Sequence, residues 1–129
     1  MEERLIEKKI KVTNLTGKTD LKGLTELFRE VDLIISGDTS IVHIAALTPV
    51  KSITVFLGNA YHFHTYPYCN GKIIIFPNIS CYPCAADFNC KHMTCKAKIT
   101  PELVFKAVQG EKENNIAETF LTNDGFVSI

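Results

Sequence analysis

The sequence has no excess of charge of either sign: 14 lysines and arginines balance 14 aspartates and glutamates over 129 residues. Such a field gives no reason to expect nucleic acid or an anionic membrane as partner, and directs attention to a local site. Long hydrophobic runs are also lacking. "LII" at 33–35 and "IIIF" at 73–76 fall far short of the roughly 20 apolar residues a membrane span needs. The opening "MEERLIEKKIK" is too charged for a secretory signal, so a cytoplasmic protein is expected. There is no internal repeat and no low-complexity linker. A phosphate-binding Walker loop is absent too: "GKT" at 17–19 would need a glycine five positions before Gly17, and Val12 stands there.

What is present suits one compact domain. A hydrophobic content of 46% in a chain of this length builds a single core and is too small for two. "KIKVTNL" (9–15) alternates as a strand, and "TDLKGLTELFREVD" (19–32) puts Leu21, Leu24, Leu27, Phe28 and Val31 on one helical stripe. "DLIIS", "SITVFLG" and "KIIIFPN" are short, β-branched and apolar on both faces, with "TSIVHIAAL" as a helix between the first two. Strands of that kind belong in a sheet covered on both sides. Their alternation with helices predicts right-handed crossovers and an α/β fold, a Rossmann-like open parallel sheet with flanking helices. A last helix is marked by Thr100 as N-cap, Pro101 at its first position and Gly110 just past its end, with Leu103, Val104, Ala107 and Val108 facing inward. Residues 1–110 form the domain in this reading, and 111–129 are a tail that frays or docks.

Within that frame, "SGDTSIVHIAA" (36–46) falls where a strand hands over to a helix, at the carboxyl edge where ligands bind in parallel sheets. Gly37 permits a tight turn and the close approach of a ligand. Asp38 can cap, and the amides of Thr39, Ser40 and Ile41 open the helix at its positive end, which favours an anion. Thr39 and His43 are four apart and share a face. The plainer alternative is an ordinary Asp cap with a surface histidine.

Two further stretches carry chemistry. "CYPCAADFNCKHMTC" spaces Cys81, Cys84, Cys90 and Cys95 as C-x2-C-x5-C-x4-C in a loop without periodicity. Four thiolates so close in sequence can close a tetrahedral structural zinc site, with His92 able to replace one ligand. Disulfides, ordinary reduced cysteines and an iron–sulfur cluster are the alternatives. Cys69 stands apart. Any such metal is structural, and no cofactor is expected for catalysis. "YHFHTYPY" (61–68) offers stacking surfaces, with His62 and His64 able to touch phosphate oxygens, or else Tyr66 and Tyr68 pack over the sheet edge.

These motifs in their order, "NLTGKTDLKGLTELFREVDLIISGDTSIVHIAAL", "TPVKSITVFLG", "TYPY", the cysteine stretch and "ITPELVFKAV", resemble glycosyltransferase family 9, the heptosyltransferases of lipopolysaccharide synthesis. The likeness is to the later part of their C-terminal donor-binding domain and runs to about residue 108. The family signature D-T-G-x-x-H is met by Asp38, Thr39, Ser40 and His43. By resemblance this turn binds the diphosphate and sugar of a nucleotide-sugar donor, and the turn from Asn14 to Thr19, with Lys18 and Thr19, lies near the base and ribose; as a plain turn before a helix it needs no ligand. Similar cysteines recur in the family, which implies a structural knuckle.

Two departures bear on the site. Ser40 replaces the signature glycine and adds a side chain where a phosphate would press on the backbone. "GNAYHFHTYPY" replaces the usual G-P-T-D-P-x-R-T-G-P-Y, with His64 at the arginine position. The resemblance also implies a two-domain GT-B enzyme whose general base lies on an N-terminal domain preceding the matched stretch. No catalytic residue is therefore assigned, and slow or no turnover is expected of this polypeptide alone. The implied donor is ADP-heptose-like and the implied acceptor is lipopolysaccharide core, met through an N-terminal domain. A cytoplasmic location, peripheral at the inner membrane, fits both. The competing class is a non-catalytic, zinc-stapled α/β module that binds a nucleotide or a protein.

Overall fold

The structure, a computed structural model, describes residues 11–58, 60–68, 71–84, 90–114 and 118–127. The order of elements is α1 (Leu21–Glu30), β1 (Leu33–Gly37), α2 (Ser40–Ala45), β2 (Lys51–Val55), α3 (His62–Thr65), β3 (Lys72–Ile75), α4 (Thr94–Lys98), α5 (Pro101–Asn114), β4 (Glu118–Thr122) and β5 (Gly125–Val127). The five strands form one sheet in the order β1-β2-β3-β4-β5. β1 to β4 are parallel, and β5 returns antiparallel on β4. This is the expected α/β sheet with flanking helices.

Alternation along the strands builds a core on each face. Ile53, Ile73, Ile75 and Leu121 point to one side, where they bury Ala107 of α5 and pack against Leu103, Val104 and Val108. Phe28 of α1, Ala45 of α2, Ile34 and Val50 cluster together. Phe56, Ile74 and Phe120 form a third cluster, joined by Tyr66, Phe76 and Tyr82. In register, Ile53 meets Ile73 and Ile75 meets Leu121. Burying these branched chains from both sides supplies the main driving force, about 1.5–3 kcal/mol for each fully buried side chain. Lys72 begins β3 and is itself buried; its Nζ lies 4.5 Å from the Tyr66 ring centroid, so the aromatic face meets part of the charge.

Local chemistry sets the boundaries. Asp20 caps α1, accepting from the Gly23 amide at 2.7 Å. Thr100 caps α5, its Oγ1 accepting from the Leu103 amide at 3.3 Å. Gly17 takes a φ of 70° in the turn before α1, a conformation glycine adopts freely.

Three expectations are corrected. The described part of the 9–15 strand is exposed, irregular chain; among the described residues β1 pairs only with β2, and alternation makes no strand without a partner for its backbone. The helix read over 19–32 is shorter: Val31 lies past its end at Glu30 and is exposed, and Leu21, its first residue, is exposed as well. Gly110 does not end the last helix, which runs to Asn114. Glycine stops a helix when it turns left-handed, and Gly110 is not among the glycines that do. Within the segment read as a tail that frays or docks, residues 118–127 add β4 beside β3 and then β5 through a turn at Asn123 and Asp124. Phe120 and Leu121 are buried there.

Candidate functional site

β1 ends at Gly37, paired with Val55 of β2, so residues 38–43 leave the carboxyl edge of the parallel sheet. Gly37 is not required by the turn: its φ is not positive, and a Cβ there would meet only the Val55 carbonyl at 3.9 Å. The chain turns at Asp38 and Thr39, and Thr39, not Asp38, is the N-cap of α2, with no side-chain hydrogen bond to the helix. Asp38 is drawn elsewhere. The Thr65 hydroxyl donates to its Oδ2 at 3.3 Å, tying the turn to α3 of the aromatic loop. Thr39 is steadied from the strand side, its Oγ1 3.4 Å from Ser36 Oγ.

Thr39, Ser40 and His43 are exposed while Asp38 is half-buried. The first amides of any helix have no partner within it, and here they stand beside a carboxylate and three hydroxyls. α2 has only six residues, so its summed dipole is small; direct hydrogen bonding from amides and hydroxyls is what the turn offers an anion. The carboxylate of Asp38 can accept from the hydroxyls of a sugar.

The aromatic loop divides into an outer and an inner part. His64 is exposed at the surface of α3, edge-on to Tyr61 at 5.1 Å. His62 is buried at 3% exposure, stacked on Phe76 at 3.8 Å, with Nδ1 3.0 Å from the Tyr82 hydroxyl. Burial pushes its pKa down to about 4, so it is neutral at neutral pH and is packed away from phosphate. The expectation that His62 touches phosphate oxygens is thus corrected. Burial likewise raises Tyr82 to about 12, and the charge of Asp38 adds to that rise. Tyr82 therefore keeps its proton beneath the turn. Tyr66 packs on the core while Tyr68 is almost wholly exposed.

Lys18 and Thr19 are exposed on the turn before α1. Among the described residues, no hydrogen bond or ion pair that is resolved joins either to residues 36–43. The structure thus gathers Gly37, Asp38, Thr39, Ser40 and His43 on one turn, sets α3 with His64 beside it, and leaves Lys18 and Thr19 on a separate loop. Thr65 and Tyr82 are supporting groups that the sequence does not signal, and His62 joins them in place of a phosphate contact. Thr65 stands 27 positions from Asp38 in sequence, and no periodicity links them.

The four cysteines of the 81–95 stretch are free thiols that line one cavity of ≈ 120 Å³ together with Tyr82 and His92. Among the described residues, no three His, Cys, Asp or Glu side chains already stand as a ready metal-ligand set. Cys69 lies outside the described residues.

Comparison with known proteins gives the turn a lineage. Residues 2–95 match the model of glycosyltransferase family 9 (heptosyltransferase). The chain is 31% identical over 114 residues to lipooligosaccharide heptosyltransferase 2 of Campylobacter jejuni serotype O:2, covering 86% of this chain and 35% of that protein. The serotype O:6 counterpart is 31% identical over 108 residues, covering 81% and 34%. Lipopolysaccharide core heptosyltransferase OpsX of Haemophilus influenzae is 43% identical over 60 residues, 45% of this chain and 16% of that one. The chain spans about a third of the length of the Campylobacter relatives. No solved structure matches it significantly. The family match takes in α1, the whole strand-turn-helix around Asp38, the aromatic loop and the cysteine stretch, and on that extent the chain belongs to glycosyltransferase family 9.

Proposed function

We propose that this chain forms the donor-binding part of a sugar-nucleotide-dependent heptosyltransferase, with an ADP-heptose-like donor and lipopolysaccharide core as the acceptor of the whole enzyme. The observation that carries this reading is the position of the family signature: Asp38, Thr39, Ser40 and His43 leave the carboxyl edge of the sheet, with Asp38 fastened by Thr65. In the reaction, an acceptor hydroxyl attacks the anomeric carbon, the bond to the diphosphate oxygen breaks, and the nucleoside diphosphate departs with the electron pair. Asp38 accepts hydroxyls of the donor sugar. The amides opening α2, the hydroxyls of Thr39 and Ser40, and the imidazole of His43 donate to the diphosphate as its charge grows. Gly37 leaves room beside the turn, and His64 contributes a further donor from α3. Lys18 and Thr19 are assigned to the base and ribose end. The general base belongs to a separate N-terminal domain.

This reading supports work at the cytoplasmic face, peripheral to the membrane; no helix among the described residues is long and apolar enough to cross one. Calorimetry of the chain with ADP, ADP-sugars and other nucleoside diphosphate sugars tests it. Binding is expected to favour an ADP-sugar and to weaken about tenfold or more in Asp38→Ala, the scale of losing hydrogen bonds to a charged group. Absence of binding to every one of these ligands overturns the assignment and leaves a non-catalytic module.

A further inference from the structure

We infer that Cys81, Cys84, Cys90 and Cys95 bind one structural zinc ion that closes the loop between β3 and α5 and holds Tyr82 in place. The inference starts from packing. No described residue from Ser80 to Lys98 is fully buried, and α4 buries none of its side chains. The described residues of this stretch have too little core to offset their ordering entropy by burial alone. What it contains is thiols, all four lining the same cavity. At ≈ 120 Å³ this cavity is well below the roughly 300 Å³ at which small-molecule pockets begin.

Two of the thiols, those of Cys84 and Cys95, stand beside the backbone of Gly58, just beyond β2. A Cβ at Gly58 would stand 2.6 Å from Cys84 Sγ and 3.6 Å from Cys95 Sγ, so a side chain there would collide with the sulfur of Cys84. Gly58 is required for that approach. Its carbonyl accepts from both the amide and the thiol of Cys84, each at 2.9 Å. Cys90 Sγ lies 3.8 Å from His92 Nδ1, which in turn lies 3.2 Å from Thr94 Oγ1.

Tetrahedral zinc with bonds of about 2.3 Å holds neighbouring sulfurs roughly 3.8 Å apart. The thiols lie in one cavity but are not yet gathered to that spacing, so binding draws them in. Each thiol gives its proton to solvent as its sulfur joins the ion, and metal binding completes the folding of the loop. Four thiolates suit zinc and leave no open position, which makes the site structural. The consequence reaches the Asp38 turn, because Cys81 and Cys84 flank Tyr82, whose hydroxyl meets both the ring and the amide of His62.

Metal analysis of the full chain purified without chelator tests this, with cobalt substitution as a second readout. One zinc per chain is expected, with the visible bands of tetrahedral cobalt thiolate after exchange. Cys84→Ser and Cys95→Ser should fall below stoichiometric metal, and Cys69→Ser should keep it. Both readouts on the unaltered protein stand even where a variant fails to fold. A metal-free chain with four thiols open to a thiol reagent overturns the inference, as do disulfide masses or stoichiometric iron.

Discussion

Across β2 and β3, Ile53 faces Ile73 with both side chains buried, whereas from Ser80 to Lys98 no described side chain is fully buried. The sheet is held by apolar area packed from two sides. The cysteine stretch lies against the sheet through Gly58 and Tyr82 and otherwise presents sulfur to a small cavity. The contrast shows two ways of specifying structure in one small domain. Burial needs only the right period of apolar residues, while a polar, thiol-rich loop depends on what its side chains bind. The Asp38 turn lies between these regimes, since its backbone comes from the sheet and its aromatic support reaches Tyr82 in the cysteine stretch.

The strongest way to break this comparison is to damage the sheet and the loop in parallel. Ile73→Ala should cost roughly 2–5 kcal/mol in denaturant unfolding, the range for a buried large-to-small change that leaves a cavity. Cys84→Ser, outside the apolar clusters, should act through lost metal and leave the unfolding of the sheet core less changed. Equal losses would show that the loop is as much part of the core as the isoleucines are.

The next effect lies at the seam. His62 has a pKa of about 4 in the fold against an ordinary value near 6.5, so the unfolded chain takes up the proton first as pH falls. Stability is therefore complete above about pH 6.5, declines as pH drops, and levels off below about pH 4, where both states are protonated. The total loss from this group is at most about 3.5 kcal/mol. Unfolding curves across that window should show the decline, and His62→Phe should remove this component. A decline of unchanged size in the variant would assign it to other groups.

The smallest effect sharpens the comparison at the turn. Thr65→Val removes one hydroxyl from Asp38 and should lower stability by about 0.5–1.5 kcal/mol, read in urea unfolding. A larger loss would mean that the aromatic loop is fastened chiefly through this contact.

By itself the sequence determined the alternation of strands and helices, the two-faced sheet, the inward stripe of α5 and the lineage of the Asp38 turn, because these depend on the local period of apolar residues and on a contiguous motif. Its misreadings share one cause. Residues 11–15 alternate but lie outside the sheet, and Gly110 is a stop signal that stays helical; for the segment that could fray or dock, the buried Phe120 and Leu121 lie in the sheet beside β3. Only the tertiary structure decided that Asp38 bonds Thr65 while Thr39 caps α2, that His62 is buried and neutral while His64 is exposed, and that four thiols line one cavity, with those of Cys84 and Cys95 beside Gly58. Each of those outcomes depends on atoms brought together by folding from distant points of the chain, and hydrogen bonding and desolvation act over distance in space, which residue spacing does not encode.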